Sequence, residues 1–247
     1  MMNNSNTKNV YALILAGGKG TRMGNVEKPN QFLNLGGKPI IAHTIEKFSI
    51  LPDFEKVIVL TPSAWIRYTN DIVKKFVFNK DKVVVIEGGS SRNETIMNGI
   101  DYIANTFGMD SETIIVTHDS VRPFVTHRII TENIQYAKTF GSCDTVISAT
   151  DTIVCSDDAN IISNIPDRAK MYQGQTPQTF HAQKLKELYY SLSEAEKEIL
   201  TDACKIMVIK GEPVKLVEGE PYNIKITVPF DLKVANALIG DGGKKEC

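Results

Sequence analysis

The most constraining feature of this chain is the run Val10-Tyr11-Ala12-Leu13-Ile14-Leu15-Ala16, which stops abruptly at Gly17-Gly18-Lys19-Gly20. An unbroken apolar run of this length does not suit a wetted surface, and it falls far short of the roughly 20 residues that cross a bilayer. Bounded by glycines, it reads as a strand buried on both faces, the kind found in a parallel sheet with helices packed on either side. The pattern then recurs. Further strands are expected at 56–60, 82–86, 113–117 and 143–148, alternating with helical periods over 39–48, 63–78, 91–107 and 128–140. Pro39 suits the first turn of its helix, and Ile96, Gly99, Ile100 and Ile103 mark the inner face of another. This alternation predicts an α/β fold with crossover helices.

After residue 148 the rhythm changes. Two short β-type stretches, 152–155 and 161–163, flank the turn Ser156-Asp157-Asp158-Ala159-Asn160, so a hairpin arm spanning about 150–166 is expected to project from the sheet. Helices are expected at 182–191, 194–205 and 229–239, strands at 213–217 and 223–227, and a frayed tail at 240–247. Without repeats or a Pro/Gly/Ser-rich linker, residues 1–247 read as one domain with an arm. The formal net charge is −1, with 28 Lys+Arg against 29 Asp+Glu, which argues against nucleic-acid binding through bulk charge. The polar N-terminus gives no sign of a secretory leader. Cys143, Cys155, Cys204 and Cys247 are too scattered for a zinc site or a disulfide framework, so a cytoplasmic setting without membrane attachment is expected.

The chemistry concentrates where strands end, which is where open α/β sheets bind ligands. The glycine turn after residue 16 can bring backbone N–H groups close to a phosphate, with Lys19 and Arg22 nearby. It is neither a dinucleotide fingerprint, which needs glycine at Met23, nor a phosphate loop, since Pro39 follows Gly36-Gly37-Lys38 where Ser or Thr belongs. Gly88-Gly89-Ser90-Ser91-Arg92-Asn93 opens a helix whose N–H groups and Arg92 suit an anion or a base edge, although a capped helix needs no ligand at all. Asp119, after the strand at 113–117, is of the right type for a hard cation such as Mg²⁺, while His118 reads as a packed side chain.

Several separated motifs resemble the cytidylyltransferases that activate polyol phosphates. They are Leu-Ala-Gly-Gly-x-Gly-x-Arg-Met-Gly (15–24), Gly-Gly-x-x-Arg-Asn (88–93), His-Asp-Ser-Val-Arg-Pro-Phe (118–124), Tyr-Gln-Gly-Gln-Thr-Pro-Gln (172–178), Leu-Thr-Asp-Ala (200–203) and Asn-Ile-Lys-Ile-Thr (223–227). Ser120-Val121 and the Tyr-Gln-Gly before Gln175 resemble the ribitol-5-phosphate branch of teichoic acid synthesis more than the methylerythritol-4-phosphate branch. The resemblance implies a Rossmann-like, three-layer nucleotidyltransferase fold with a mostly parallel mixed sheet. It also implies Mg²⁺-dependent transfer of CMP from CTP to D-ribitol 5-phosphate, releasing pyrophosphate. Leu15, Ala16, Gly17 and Gly18 would embrace the nucleotide together with Gly88, Gly89, Ser90, Ser91, Arg92, Asn93 and Thr95, with Ser120 also in contact. Asp119 would lie at the metal. Arg168, Lys225 and Thr201 would hold the acceptor phosphate, Arg168 reaching the neighbouring site of a homodimer through the arm. Methylerythritol 4-phosphate, or another polyol phosphate, is the alternative acceptor.

One position departs from that pattern. The family lysine after the glycine turn is Asn30 here, within Glu27-Lys28-Pro29-Asn30-Gln31-Phe32. Loss of a charge-stabilising donor costs on the order of 10²–10³ in rate. Arg22 is the remaining catalytic cation beside the turn. A residue before proline is pushed extended, and residues two apart in an extended chain share a face, so Lys28 is expected to reach toward the place left by Asn30. A nucleotide-binding protein without turnover is the rival reading that Asn30 raises.

Overall fold

A computed structural model describes residues 9–18, 20, 23 and 28–241. Strand β1 (Val10–Leu15) lies inside a seven-stranded sheet and explains its own sequence: Val10, Ala12 and Ile14 point to one helical layer, and Tyr11, Leu13 and Leu15 to the other. A two-stranded ribbon of β2 (Asn34–Leu35) and β3 (Lys38–Pro39) leads into α1 (Ile40–Ser49). Next come β4 (Lys56–Thr61), α2 (Ile66–Phe76), β5 (Val83–Glu87), α3 (Arg92–Thr106), β6 (Ile114–Asp119) and α4 (His127–Phe140). The second half contributes β7 (Ser142–Ser148), β8 (Tyr172–His181), α5 (Ala182–Tyr190), α6 (Glu194–Glu198), α7 (Cys204–Ile209), β9 (Lys215–Glu218) and α8 (Pro229–Asp241).

The sheet order is β5-β4-β1-β6-β8-β7-β9, with β8 antiparallel to both its neighbours and every other pairing parallel. Helices α1, α2 and α4 cover one face, while α3, α5 and α7 cover the other. Gly99 lets α3 ride directly on β1, because a Cβ there would lie 2.9 Å from the Leu13 methyls. The expected three-layer, mostly parallel mixed sheet is present. Among the described residues no helix is long and apolar enough to cross a membrane.

Five expectations need correction. Pro39 belongs to β3 and precedes α1 rather than occupying its first turn. The helix expected at 194–205 is two shorter helices, and in the turn between them Asp202 Oδ1 accepts from Lys205 N at 3.0 Å. Residues 223–227 form no strand. Their backbone bonds go to a loop and a cap instead, with Ile226 N donating to Val121 O at 2.9 Å and Thr227 N to Asp231 Oδ2 at 2.7 Å. The arm keeps its turn, organised by Asp158, but its sides form no ladder: Cys155 bridges Asn164 and its carbonyl also accepts from Ser163 N at 2.8 Å. An isolated ribbon of this kind gains little from pairing in water. Finally, helix α8 continues through Gly240 and Asp241, where a frayed tail was expected; the rest of that tail lies outside the described residues.

Candidate active site

A cleft of about 330 Å³ opens at the carboxyl ends of β1 and β6, beside the start of α3. Its glycine turn is pinned from behind. Gln31 is buried on a short 3₁₀ turn, and its Nε2 donates to Ala16 O at 2.8 Å and Gly18 O at 3.3 Å. Gly17 and Gly18 therefore stand at the cleft wall, while Ala16 serves from beneath, its N–H bonded to Leu60 O. Leu15, Gly89, Ser90, Ser91, Arg92, Thr95 and Ser120 also line the cleft. Gly88 and Asn93 support it without lining it, Gly88 N bonding to Thr61 O.

The turn before α3 differs in polarity from its sequence reading. Ser91 and Glu94 form a capping box, with Glu94 Oε2 accepting from Ser90 N at 3.0 Å and Ser91 N at 3.3 Å. Gly89 N donates to Thr95 Oγ1 at 2.9 Å. These N–H groups are thus occupied within the chain and do not form an anion cradle. Thr95 also donates back to the turn, its Oγ1 and N–H to Ser91 O at 2.7 and 3.0 Å.

Asp119 is the hub. Its Oδ1 pairs with Arg92 Nη1 at 2.5 Å, and its Oδ2 with Lys225 Nζ at 3.0 Å and Arg122 Nε at 3.5 Å. Burial alone would raise its carboxyl pKa, but Arg92, Lys225 and Arg122 outweigh that effect and hold it well below the usual carboxylate range. Three cations against one carboxylate leave the cleft floor electropositive although the whole chain carries −1.

The hub is fixed by a relay. Asp119 N donates to Thr176 Oγ1 at 3.2 Å, and Thr176 Oγ1 lies 3.0 Å from His118 Nδ1. His118 Nε2 lies 3.0 Å from Arg122 O, and a carbonyl partner requires that nitrogen to be the donor, so Nδ1 accepts from Thr176. Burial lowers the His118 pKa to about 4, so the ring is neutral and packed, as its sequence context suggested. Arg122 Nη1 continues the chain to Asn223 O at 2.7 Å, and Asn223 Nδ2 ties back to Thr176 O and Gln175 Oε1. Gln31, Thr176 and Asn223 are the residues that sequence reasoning passed over. Thr176 and Asn223 sit inside the quoted motifs and Gln31 in the segment 27–32, so the signal was there; Thr176 and Asn223 hold the site from behind, and Gln31 both pins the glycine turn and lines the cleft.

Asn30 is buried in the cleft wall, where its Nδ2 donates to Thr227 O at 3.2 Å and Ile226 O at 3.4 Å, next to Lys225. Lys28 does not follow it. The chain turns into a 3₁₀ helix at Asn30, with Phe32 N donating to Pro29 O, so the shared-face rule for extended chains does not apply. Lys28 Nζ instead lies 3.1 Å from Tyr68 Oη and 4.7 Å from the centre of its ring, away from the cleft lining. Arg168 and Thr201 are exposed and do not line this cleft; Arg168 Nη1 donates to Thr150 O at 3.0 Å. Arg22 and Lys19 lie outside the described residues.

No group of three or more His, Cys, Asp or Glu positioned for a metal occurs among the described residues. Asp119 is the one carboxylate among the residues lining the cleft. A single carboxylate does not make a resident metal centre; Mg²⁺ arriving on a polyphosphate takes one or two carboxylates plus phosphate oxygens and water, and Asp119 would join it by exchanging one of its pairs with Arg92 or Lys225.

The model of a family described as 2-C-methyl-D-erythritol 4-phosphate cytidylyltransferase, IspD, matches residues 10–241. Among solved structures, 4-diphosphocytidyl-2C-methyl-D-erythritol synthase from Anaerococcus prevotii is 26% identical with a TM-score of 0.77, over 94% of this chain and 96% of that one. The 2-C-methyl-D-erythritol 4-phosphate cytidylyltransferase of Thermus thermophilus is 27% identical with a TM-score of 0.71, over 93% and 98%. The Francisella tularensis enzyme of that name is 26% identical with a TM-score of 0.75, over 92% and 98%.

Proposed function

Since the chain belongs to the IspD family of cytidylyltransferases, nucleotidyltransferases acting on CTP and a polyol phosphate, we propose that its acceptor is D-ribitol 5-phosphate and its products are CDP-ribitol and pyrophosphate. The observation that carries the chemistry is the cluster of Arg92, Arg122 and Lys225 around Asp119 at the cleft floor. Joining a phosphate monoester to a triphosphate brings several negative charges together, and the reaction is driven by positioning and charge neutralisation without a protein nucleophile. An acceptor phosphate oxygen attacks the α-phosphorus, the new phosphoanhydride bond forms, and the bond to the β-phosphate bridging oxygen breaks as pyrophosphate leaves. The turn before α3, which lines the cleft, would take the nucleotide base, Lys225 the acceptor phosphate and Arg92 the triphosphate. Asp119 would hold Mg²⁺ together with the phosphates, and that ion would supply further neutralisation when bound.

Ribitol phosphate is favoured by Ser120-Val121, which line the cleft, and by the Tyr172-Gln173-Gly174 start of β8. A homodimer in which Arg168 serves the neighbouring cleft accounts for a conspicuous cation that touches no part of its own cleft, and its products would feed teichoic-acid-type polymer synthesis. Methylerythritol 4-phosphate is a second reading, supported by the family model and the solved relatives. The test is pyrophosphate release from CTP and Mg²⁺ with each acceptor in turn. We expect kcat/KM for ribitol 5-phosphate to be at least ~10-fold higher, the scale of one well-made polar contact. Preference for methylerythritol 4-phosphate overturns the acceptor assignment, and CTP binding without pyrophosphate release from either overturns the catalytic one.

A further inference from the structure

On the reading that Lys225 holds the acceptor phosphate, we propose that Asn30 is a positioning residue: it ties the wall of the glycine turn to the 223–228 segment and so fixes where Lys225 stands. Residues 223–228 belong to no helix or strand, so individual contacts set their course. Ile226 N donates to Val121 O at 2.9 Å, and Thr227 N and Val228 N to Asp231 Oδ2 at 2.7 and 2.8 Å. Among the described residues, two side chains from outside the segment donate to its carbonyls, one on either side of Lys225. Arg122 Nη1 donates to Asn223 O at 2.7 Å, and Asn30 Nδ2 to Thr227 O and Ile226 O at 3.2 and 3.4 Å. Lys225 Nζ meets Asp119 Oδ2 at 3.0 Å from a partly exposed side chain. A long, flexible stem of that kind takes its position from the backbone beneath it.

Asn30 is suited to this task by its shape and its neighbours. It is 7% exposed, yet it lines the cleft, as Lys225 does. It shares one turn of 3₁₀ helix with Gln31, whose amide holds the carbonyls of Ala16 and Gly18. Adjacent side chains therefore grip opposite walls, Gln31 the glycine turn and Asn30 the segment that carries Lys225. The Asn30 carboxamide also lies flush against Gly20: a Cβ there would come within 2.4 Å of Oδ1 and 3.0 Å of Asn30 N, and Gly20 has φ +71°. Asn30 Oδ1 has no hydrogen-bond partner among the described residues, so the amide bonds through Nδ2 alone. A short neutral amide fits here where a long cation does not. An ammonium in its place would add a fourth cation to Arg92, Arg122 and Lys225, which already share one carboxylate, and like charges brought close repel. Two substrates that must react across the cleft tolerate little drift between its walls, since a misplacement of about 1 Å costs on the order of 10²-fold in rate.

The test uses the full chain with CTP, Mg²⁺ and the polyol phosphate that the wild type turns over best. Asn30→Leu keeps roughly the shape of the side chain against Gly20 and removes the donor. It should raise KM for the acceptor at least ~10-fold, while KM for CTP stays within about twofold, because Gln31 still pins the glycine turn. The deciding readout is a cycle with Lys225→Ala. In that background Asn30→Leu should change kcat/KM for the acceptor by no more than about twofold, because the group it positions is gone. Losses that multiply, an unchanged acceptor KM in Asn30→Leu, or an equal rise in KM for CTP overturns the proposal. Asn30→Lys should likewise raise KM for the acceptor; a gain in kcat from it would show that the position needs a cation, and overturns the proposal too. Asn30→Ala takes the place of Asn30→Leu if that variant does not fold, and failure of both to fold assigns Asn30 to the scaffold alone. An unchanged acceptor KM in Lys225→Ala sinks the reading of Lys225 itself, an outcome visible before any Asn30 variant is compared.

Discussion

The end of β6 with the loop that follows it, and the arm that follows β7, leave the same sheet but treat their side chains in opposite ways. His118, Asp119 and Ser120 are at most 5% exposed, and the relay through Thr176, Arg122 and Asn223 satisfies the polar groups of His118 and Asp119. In the arm, Ile161, Ile162 and Ile165 are 72%, 55% and 57% exposed. The loop is finished within one chain, and the arm is not. Clustered exposed apolar side chains are what a surface covered by another molecule would carry, so the arm is consistent with the proposed homodimer, while the charges at the end of β6 are paired within one chain. The difference predicts how each region fails.

The largest effect is expected at Asp119. Asp119→Asn leaves Arg92, Arg122 and Lys225 facing one another without their carboxylate. Turnover should fall by about 10³, and the free energy of unfolding by urea should drop by about 3 kcal/mol, the scale of a broken buried pair. CTP should bind no more weakly by calorimetry, because the cleft becomes more positive. Near-normal turnover would mean that the hub is only scaffolding, and the comparison would collapse from the loop side.

A smaller effect, of another kind, is expected in the arm. Ile161→Asp/Ile162→Asp should leave the urea midpoint almost unchanged, within about 0.5 kcal/mol, since both side chains are already in water within one chain. The same variant should sediment as a monomer and lose acceptor affinity by roughly 10–100-fold, because Arg168 would no longer be delivered to a neighbouring cleft. A variant that stays dimeric, or a monomer of full activity, would show that the arm completes nothing.

These two regions also differ in how far they could be read from sequence. The loop's chemistry was legible because His118, Asp119 and Arg122 stand at the end of an apolar strand, where ligands of α/β sheets gather. Strand β8 was not legible. Its Tyr-Gln-Gly-Gln-Thr-Pro-Gln start has little of the β-branched character of strands, and it becomes one because β6 and β7 pair with it on both sides. The strand expected at 223–227 failed for the converse reason: Ile224 and Ile226 alternate as a strand should, but the segment's N–H groups are taken by Val121 O and the Asp231 carboxylate. The bonds from Asn30 to the carbonyls of Ile226 and Thr227 were hidden as well, since only the fold brings those segments together. Lys28 was misplaced because one turn of 3₁₀ helix at Asn30 rotates the chain out of the extended geometry that the reading assumed.

The smallest expected effect sharpens the boundary between the cleft and the surface around it. Lys28 is exposed and rests against Tyr68, whose ring in turn packs edge-on to Phe32 at 5.1 Å between centres. A cation over an exposed aromatic face contributes roughly 0.5–1 kcal/mol, so Lys28→Ala should lower stability by about that amount in a urea titration. Its kcat/KM should remain within about twofold of wild type, because the ammonium points at the Tyr68 hydroxyl and Asn30 holds its own place in the wall through two carbonyl contacts. If Lys28→Ala instead cuts turnover by ~10², the scale of one lost transition-state donor, the lysine must leave Tyr68 once nucleotide is bound. Tyr68→Leu separates the two cases: it frees Lys28, so it raises activity if the lysine is borrowed by the cleft and leaves activity unchanged if it is not.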